Sequence, residues 1–161
     1  MSKKNKILNL ARSPWKMKFY MMLNLPMAFL AGLKLLEITP QSASVSVPYN
    51  FINKNPFRSM YFAVQSMAAE LSSGILALNE VSQAEVPVSM LVLNMRASFT
   101  KKVRAKTIFI CEGGELIKAA ISRSITTKEG QIVDVVSVGI DKYGEKVAEF
   151  IFTWTFKPKN L

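Results

Sequence analysis

The sequence predicts an α+β fold in which a curved antiparallel sheet wraps one long central helix, with further helices at the N-terminus. Three observations predict it. Residues 62–79 form an unbroken helical run of small and apolar side chains. Ser44 to Val47 before it, and most of the chain after Pro87, alternate apolar and polar residues with the period of a strand. Half of the 161 residues are hydrophobic, enough for one substantial core.

The expected organisation is a helical segment over residues 1–34 packed on a single domain over 35–161. In the first segment Lys3, Lys4, Lys6, Lys16 and Lys18 accompany the apolar stretch Phe19–Leu33. Asn24 and Pro26 interrupt that stretch and Lys34 ends it, short of the roughly 20 apolar residues that span a bilayer. Two short amphipathic helices meeting at Pro26 are therefore expected. Attachment to a membrane surface, or a signal or span, are the alternatives.

The next elements follow from local chemistry. Val45 and Val47 alternate with Ser44 and Ser46 as a strand, closed by Pro48. Asn50 to Arg58 is a loop in which Pro56 biases Asn55 away from helical angles, and Ser59 stands where an N-cap belongs. The helix carries Met60, Val64, Met67, Leu71 and Ile75 as one stripe, with Glu70 on another face among alanines and serines. A carboxylate in such company suffers a desolvation cost that raises its pKa. Beyond Pro87, strands are expected at Val103–Phe109, Ile117–Ile125 and Ala148–Phe156. Hairpin turns are expected at Gly113-Gly114, Lys128-Glu129-Gly130 and Asp141–Gly144.

Composition removes whole classes of chemistry. Histidine is absent, which excludes Ser-His-Asp and Cys-His nucleophilic catalysis and His-ligated zinc, so acid-base work falls to carboxylates, Lys or Tyr. No GxGxxG or GxxxxGK[ST] loop is present, and neither a metal nor a resident cofactor is expected. Cys111, the lone cysteine, lies in the apolar run Thr107–Cys111, reads as a buried thiol and fits a reducing cytoplasm. Twenty-one Lys and Arg against 11 Asp and Glu give a net charge of +10, which favours an anionic partner. The basic residues are dispersed, against nucleic acid. Lys101, Lys102, Arg104 and Lys106 are the group best suited to phosphates.

A helix enclosed by such a sheet is the hotdog architecture, and the residues carry a resemblance to match. Asn55, Ser59 and Glu70 are similar in order and spacing to the loop Asn, the Thr or Ser and the helical acid of hotdog acyl-CoA thioesterases of the phenylacetic-acid-degradation type. Leu25–Ala28, Val47–Tyr49, Lys54–Ala63 and Met67–Ser72 resemble a largely uncharacterised bacterial branch of that superfamily. The likeness departs at Tyr61, Phe62 and Ala63, which stand where thioesterases of that type usually carry His-Gly-Gly.

The resemblance implies hydrolysis of an acyl-CoA or other acyl thioester by a homodimer or homotetramer. Backbone N–H groups near Tyr61 and Phe62 would hold the carbonyl. Glu70, from the other subunit, would act as base or nucleophile, with Asn55 orienting, Ser59 capping or assisting, and Lys101, Lys102 or Arg104 meeting phosphates. Each residue also has a plainer reading: Glu70 as a salt-bridged helix residue, Asn55 as a turn former, Ser59 as a cap, Tyr61 as core. A non-catalytic hotdog dimer that binds a fatty acyl group, or serves as a scaffold, is the alternative function.

Overall fold

The computed structural model describes residues 6–11 and 13–159. Along the chain run α1 (Lys6–Ala11), α2 (Pro14–Asn24), α3 (Pro26–Leu30), β1 (Lys34–Ile38), β2 (Ala43–Val47), α4 (Phe62–Gln83), β3 (Val88–Phe99), β4 (Thr107–Cys111), α5 (Gly114–Thr127), β5 (Gln131–Asp141) and β6 (Lys146–Pro158). The strands form one sheet in the order β1-β2-β4-β5-β6-β3, with every neighbouring pair antiparallel.

Period-two alternation builds the inner face of this sheet. Ala148, Phe150, Phe152, Trp154 and Phe156 of β6 are all buried, as the sequence requires. Phe109 of β4 meets Phe150 edge-on, with ring centroids 5.7 Å apart. Register shifts at Val92/Asn94 and Gly139/Ile140 let the long strands bend around the core.

Against that face lies α4, 22 residues long and so about 33 Å. Val64, Leu71 and Ile75 are buried as the stripe predicts, and Ala68, Ala69, Ser72 and Ala77 widen the buried arc. The small side chains admit close approach: Ser72 Oγ lies 2.8 Å from Ser137 Oγ, and Trp154 Nε1 donates to Ser73 Oγ at 3.2 Å. The enclosure is incomplete. Phe62, Ser66, Glu70 and Gly74, four residues apart, form a stripe that is not fully buried, and Ser66 Oγ there donates to Met95 Sδ of the edge strand β3 at 3.1 Å.

The C-terminal half departs from an unbroken meander. Ile117–Ile125 is helix, not strand: the buried residues of α5 are Gly114, Ile117, Ile121 and Ser124, at helical spacings of three and four. The run of isoleucines and alanines fits both periods, and the length of the element, 14 residues, suits a helix better than a strand. Gly113 and Gly114 form no hairpin. The Gly113 carbonyl accepts the Ile117 N–H at 3.0 Å and opens α5, while the Gly114 N–H donates to the Gln41 carbonyl at 2.9 Å. Gly130 likewise joins α5 to β5 rather than two strands. Of the three expected turns only Asp141–Gly144 is a hairpin connection, with Asp141 Oδ1 accepting the N–H groups of Tyr143 and Glu145. Residues 103–106 are irregular, since β4 begins at Thr107.

A Cβ on Gly114 would lie 2.1 Å from the Pro40 carbonyl oxygen, a backbone atom that has no rotamer to escape into. Gly114→Ala is expected to destabilise the fold by about 1–3 kcal/mol, read as a lower urea midpoint at unchanged slope.

At the N-terminus the helix breaks at Leu25, before Pro26, as expected. Met17, Met21, Ala28, Ala31 and Leu33 belong to the same buried cluster as the sheet residues. Lys3 and Lys4 lie outside the described residues. Among the described residues no helix is long and apolar enough to cross a membrane.

Candidate active site

The loop before α4 is organised by asparagines. Asn50 Oδ1 accepts the N–H groups of Ile52 and Asn53. Asn53, fully buried, donates through Nδ2 to the carbonyls of Ala31 and Pro48, both at 2.8 Å, and so ties the N-terminal helices to the loop. Asn55 Oδ1 accepts three donors: the N–H of Phe57 at 3.0 Å, the N–H of Ser59 at 3.2 Å and the Ser59 hydroxyl at 3.2 Å. Its Nδ2 group has no acceptor among the described residues.

Ser59 is not the N-cap, because α4 begins only at Phe62. Its hydroxyl donates to Asn55, and the N-cap is Tyr61, in extended conformation and with no side-chain cap. The N–H of Tyr61 donates to the Asn53 carbonyl at 2.8 Å, which removes it from the expected oxyanion donors. Phe62 and Ala63 have N–H groups with no acceptor among the described residues, as the first residues of an uncapped helix must. They sit at the positive end of the helix dipole. The Tyr61 and Phe62 side chains are exposed and meet edge-on, with ring centroids 5.0 Å apart, and Phe62 contacts Phe99 of β3 at 6.4 Å.

Beside this helix end runs the basic segment. The Val103 carbonyl accepts the Met60 N–H at 2.7 Å, so Lys102 and Arg104 flank a residue bonded to the approach to α4. Lys101 is held in an ion pair with Glu145, whereas exposed Lys102 and Arg104 make none among the described residues.

Glu70 lies two turns further along α4. Burial pushes its carboxyl above the ordinary value of 4.5, and no hydrogen bond or ion pair offsets that cost among the described residues. Arg58 in particular does not neutralise it. Space for the carboxylate comes from Gly74, where a Cβ would stand 2.8 Å from Glu70 Oε1. Cys111 is buried, which pushes its thiol to about 11 and removes it as a nucleophile at neutral pH. Among the described residues no cluster of three or more His, Cys, Asp or Glu could hold a metal ion.

No family model matches the chain, and no curated protein matches it. Solved structures do. A Pseudomonas aeruginosa protein described as a "probable thioesterase" superposes with a TM-score of 0.76 at 19% identity, covering 91% of this chain and 97% of that one. A thioesterase from Haemophilus influenzae gives 0.65 at 12% identity, covering 91% of each chain. A protein of unknown function from Chlorobaculum tepidum gives 0.75 at 12%, covering 91% of this chain and 98% of that one. The fold is the hotdog fold.

In this hotdog the sequence-predicted residues fall into two groups. Asn55, Ser59, Tyr61, Phe62, Lys102 and Arg104 gather at the N-terminal end of α4, with Lys101 turned to Glu145. Glu70 stands apart from them, over Gly74. Sequence reasoning noted Ala63 only as a departure from the His-Gly-Gly pattern and gave no role to Gly74. Their contributions are a free N–H and a missing side chain, which leave no mark in a motif.

Proposed function

We propose that the protein is an acyl thioester hydrolase, acting on acyl-CoA in the cytoplasm, whose active site is completed across a homodimer. The observation that carries this reading is Glu70, a desolvated and unpaired carboxylate on the open stripe of α4. Eight residues separate it from Phe62, about 12 Å of helix, and its carboxylate leans over Gly74 rather than toward the helix start. One thioester cannot touch both ends. A second copy related by a twofold axis would bring the partner's Glu70 to the free N–H groups of Phe62 and Ala63. The edge strand supports such a neighbour, because β3 exposes Leu91, Leu93, Met95 and Phe99 along an unpaired ladder edge.

In that arrangement the thioester oxygen accepts the N–H groups of Phe62 and Ala63, which stabilise the oxyanion as it forms. The Glu70 carboxylate takes a proton from the attacking water. The C–S bond then breaks and the proton passes to the departing thiolate, leaving a carboxylic acid and a free thiol. Direct attack by the carboxylate, with hydrolysis of the resulting anhydride, reaches the same products. Asn55 Nδ2 orients the water or the carbonyl, Ser59 holds Asn55, and Lys102 and Arg104 meet the CoA phosphates.

One observation favours the alternative, a non-catalytic dimer that binds an acyl group: the Phe62 ring, against Phe99, stands where a glycine would leave the backbone open. Thiol release from short, long and aromatic acyl-CoA thioesters separates the two. Turnover supports the hydrolase, and binding without turnover on every member moves the assignment to the alternative. Shared sites have their own signature. Asn55→Asp keeps the three accepted hydrogen bonds but loses the amide donor. Mixed one to one with Glu70→Gln under subunit exchange, it should recover about a quarter of wild-type turnover, since half the dimers then carry one intact site. No recovery, with exchange verified, would place each site within one subunit.

A further inference from the structure

The outer face of α2 inverts the usual amphipathic order. Met17 and Met21 are buried against the domain, as a packed helix requires. The side turned to solvent is also apolar: Trp15 is 81% exposed, Phe19 59% and Leu23 64%, at spacings of four, with Met22 beside them. At 100° per residue, Lys16 and Lys18 flank this ridge on opposite sides. The Lys18 ammonium lies 5.8 Å from the Trp15 ring centroid and 5.9 Å from that of Phe29, its stem laid along the apolar surface. Met27 and Leu30 of α3 extend the exposed apolar surface.

A hollow of about 710 Å3 opens between α2 and β1. Met17, Met21, Phe29, Leu33 and Leu35 line it, and Lys18 and Lys34 are its two cationic residues. Charge along this stretch of the sequence has one sign. The first 36 residues hold seven of the 21 Lys and Arg and none of the 11 Asp and Glu.

We propose that this face docks the protein on a bilayer containing anionic phospholipid, with Trp15, Phe19 and Leu23 entering the headgroup boundary and Lys16, Lys18 and Lys34 meeting the phosphates. A protein partner would need acidic groups spaced to the lysines and an apolar groove fitted to the ridge, whereas a lipid surface supplies both without a fixed pattern. The apolar contact and the charge then act together, as interfacial helices require. None of these residues belongs to the candidate active site, so membrane docking stands or falls independently of the hydrolase reading.

The full chain would be sedimented with vesicles of phosphatidylcholine alone and of phosphatidylcholine mixed equally with phosphatidylglycerol. Binding should appear on the mixed vesicles, weaken as salt rises, and fall about fivefold for each lysine removed in Lys16→Gln and Lys18→Gln. Fluorescence reports the same event separately. Of the two tryptophans, Trp154 is buried at 3% exposure, so a blue shift on the mixed vesicles belongs to Trp15 and should vanish in Trp15→Ser. Phe19→Ser and Leu23→Ser lie at exposed positions and test the ridge without entering the core. Equal binding to both vesicle types, binding unchanged by these substitutions, or no binding at low salt would each overturn the proposal. So would sedimentation velocity showing that Phe19→Ser dissociates an oligomer, which would assign the ridge to a second copy of the chain.

Discussion

Glu70→Gln is expected to lower acyl-CoA hydrolysis by about 10²–10⁴-fold, the range for removal of a general base, while making the folded protein more stable at neutral pH. The two effects share one cause. Burial raises the folded-state pKa of Glu70 above 4.5, so its ionised form is what the fold disfavours. Below 4.5 the carboxyl is protonated in both folded and unfolded chains and carries no such penalty. As pH rises past that value the unfolded chain loses its proton first, and stability falls until the folded-state carboxyl has also ionised. Glutamine has no proton to lose. Urea melts across pH should therefore show the variant gaining on the wild type above 4.5 and no difference from this group below it. Wild-type turnover should rise with pH through a midpoint displaced upward from 4.5. A variant less stable than wild type at pH 7 would mean that Glu70 has a cationic partner in the assembled protein, and would remove the case for a free base.

The sequence announces those parts of the fold whose signals are local and repeated. Long α4 carries a stripe at helical spacing, and β6 places five residues in alternation, so both elements are legible from the order of their residues alone. Pro26, Pro48 and Pro56 mark breaks because proline restricts its own and its neighbour's backbone wherever it stands. Two elements escape for opposite reasons. In α5, isoleucines at 117, 121 and 125 with alanines between them satisfy both periods, and a Gly-Gly pair that looks like a hairpin instead lets the helix start press on the Pro40 carbonyl. In β1, Lys34-Leu-Leu-Glu-Ile alternates nothing and is extended by its pairing with β2, through a register shift at Leu35/Glu37.

Site chemistry divides along the same line. Glu70 is legible because its surroundings on the helix are written in the neighbouring residues, and its raised pKa follows from them. Ser59 is misread because the loop runs two residues further before it turns into helix, so that Tyr61 takes the N-cap position while the Ser59 hydroxyl donates to Asn55. At the helix start the Asn53 carbonyl takes the Tyr61 N–H, which leaves Phe62 and Ala63 as the donors without an acceptor among the described residues. Such pairing is a property of the folded loop.

Gly74→Ala separates the position of the carboxylate from its presence. An added Cβ would meet Glu70 Oε1 at 2.8 Å and the Trp154 ring at 3.5 Å. The second distance is ordinary contact, and the first involves the far end of a flexible side chain, so the carboxylate swings aside and the helix stays in place. In the interior of α4, alanine is favoured over glycine by about 1 kcal/mol, so the variant should melt at equal or higher denaturant. Turnover should nevertheless fall by about 10²-fold, the scale for a catalytic group displaced by about 1 Å. Stability and activity moving in opposite directions is the outcome that general damage to the fold cannot produce. In the Glu70→Gln background the same substitution should cost no further activity, because the group it displaces no longer performs the chemistry. Full activity in Gly74→Ala would mean that the carboxylate need not rest over this glycine, and a further loss in the double variant would assign Gly74 to the substrate path instead.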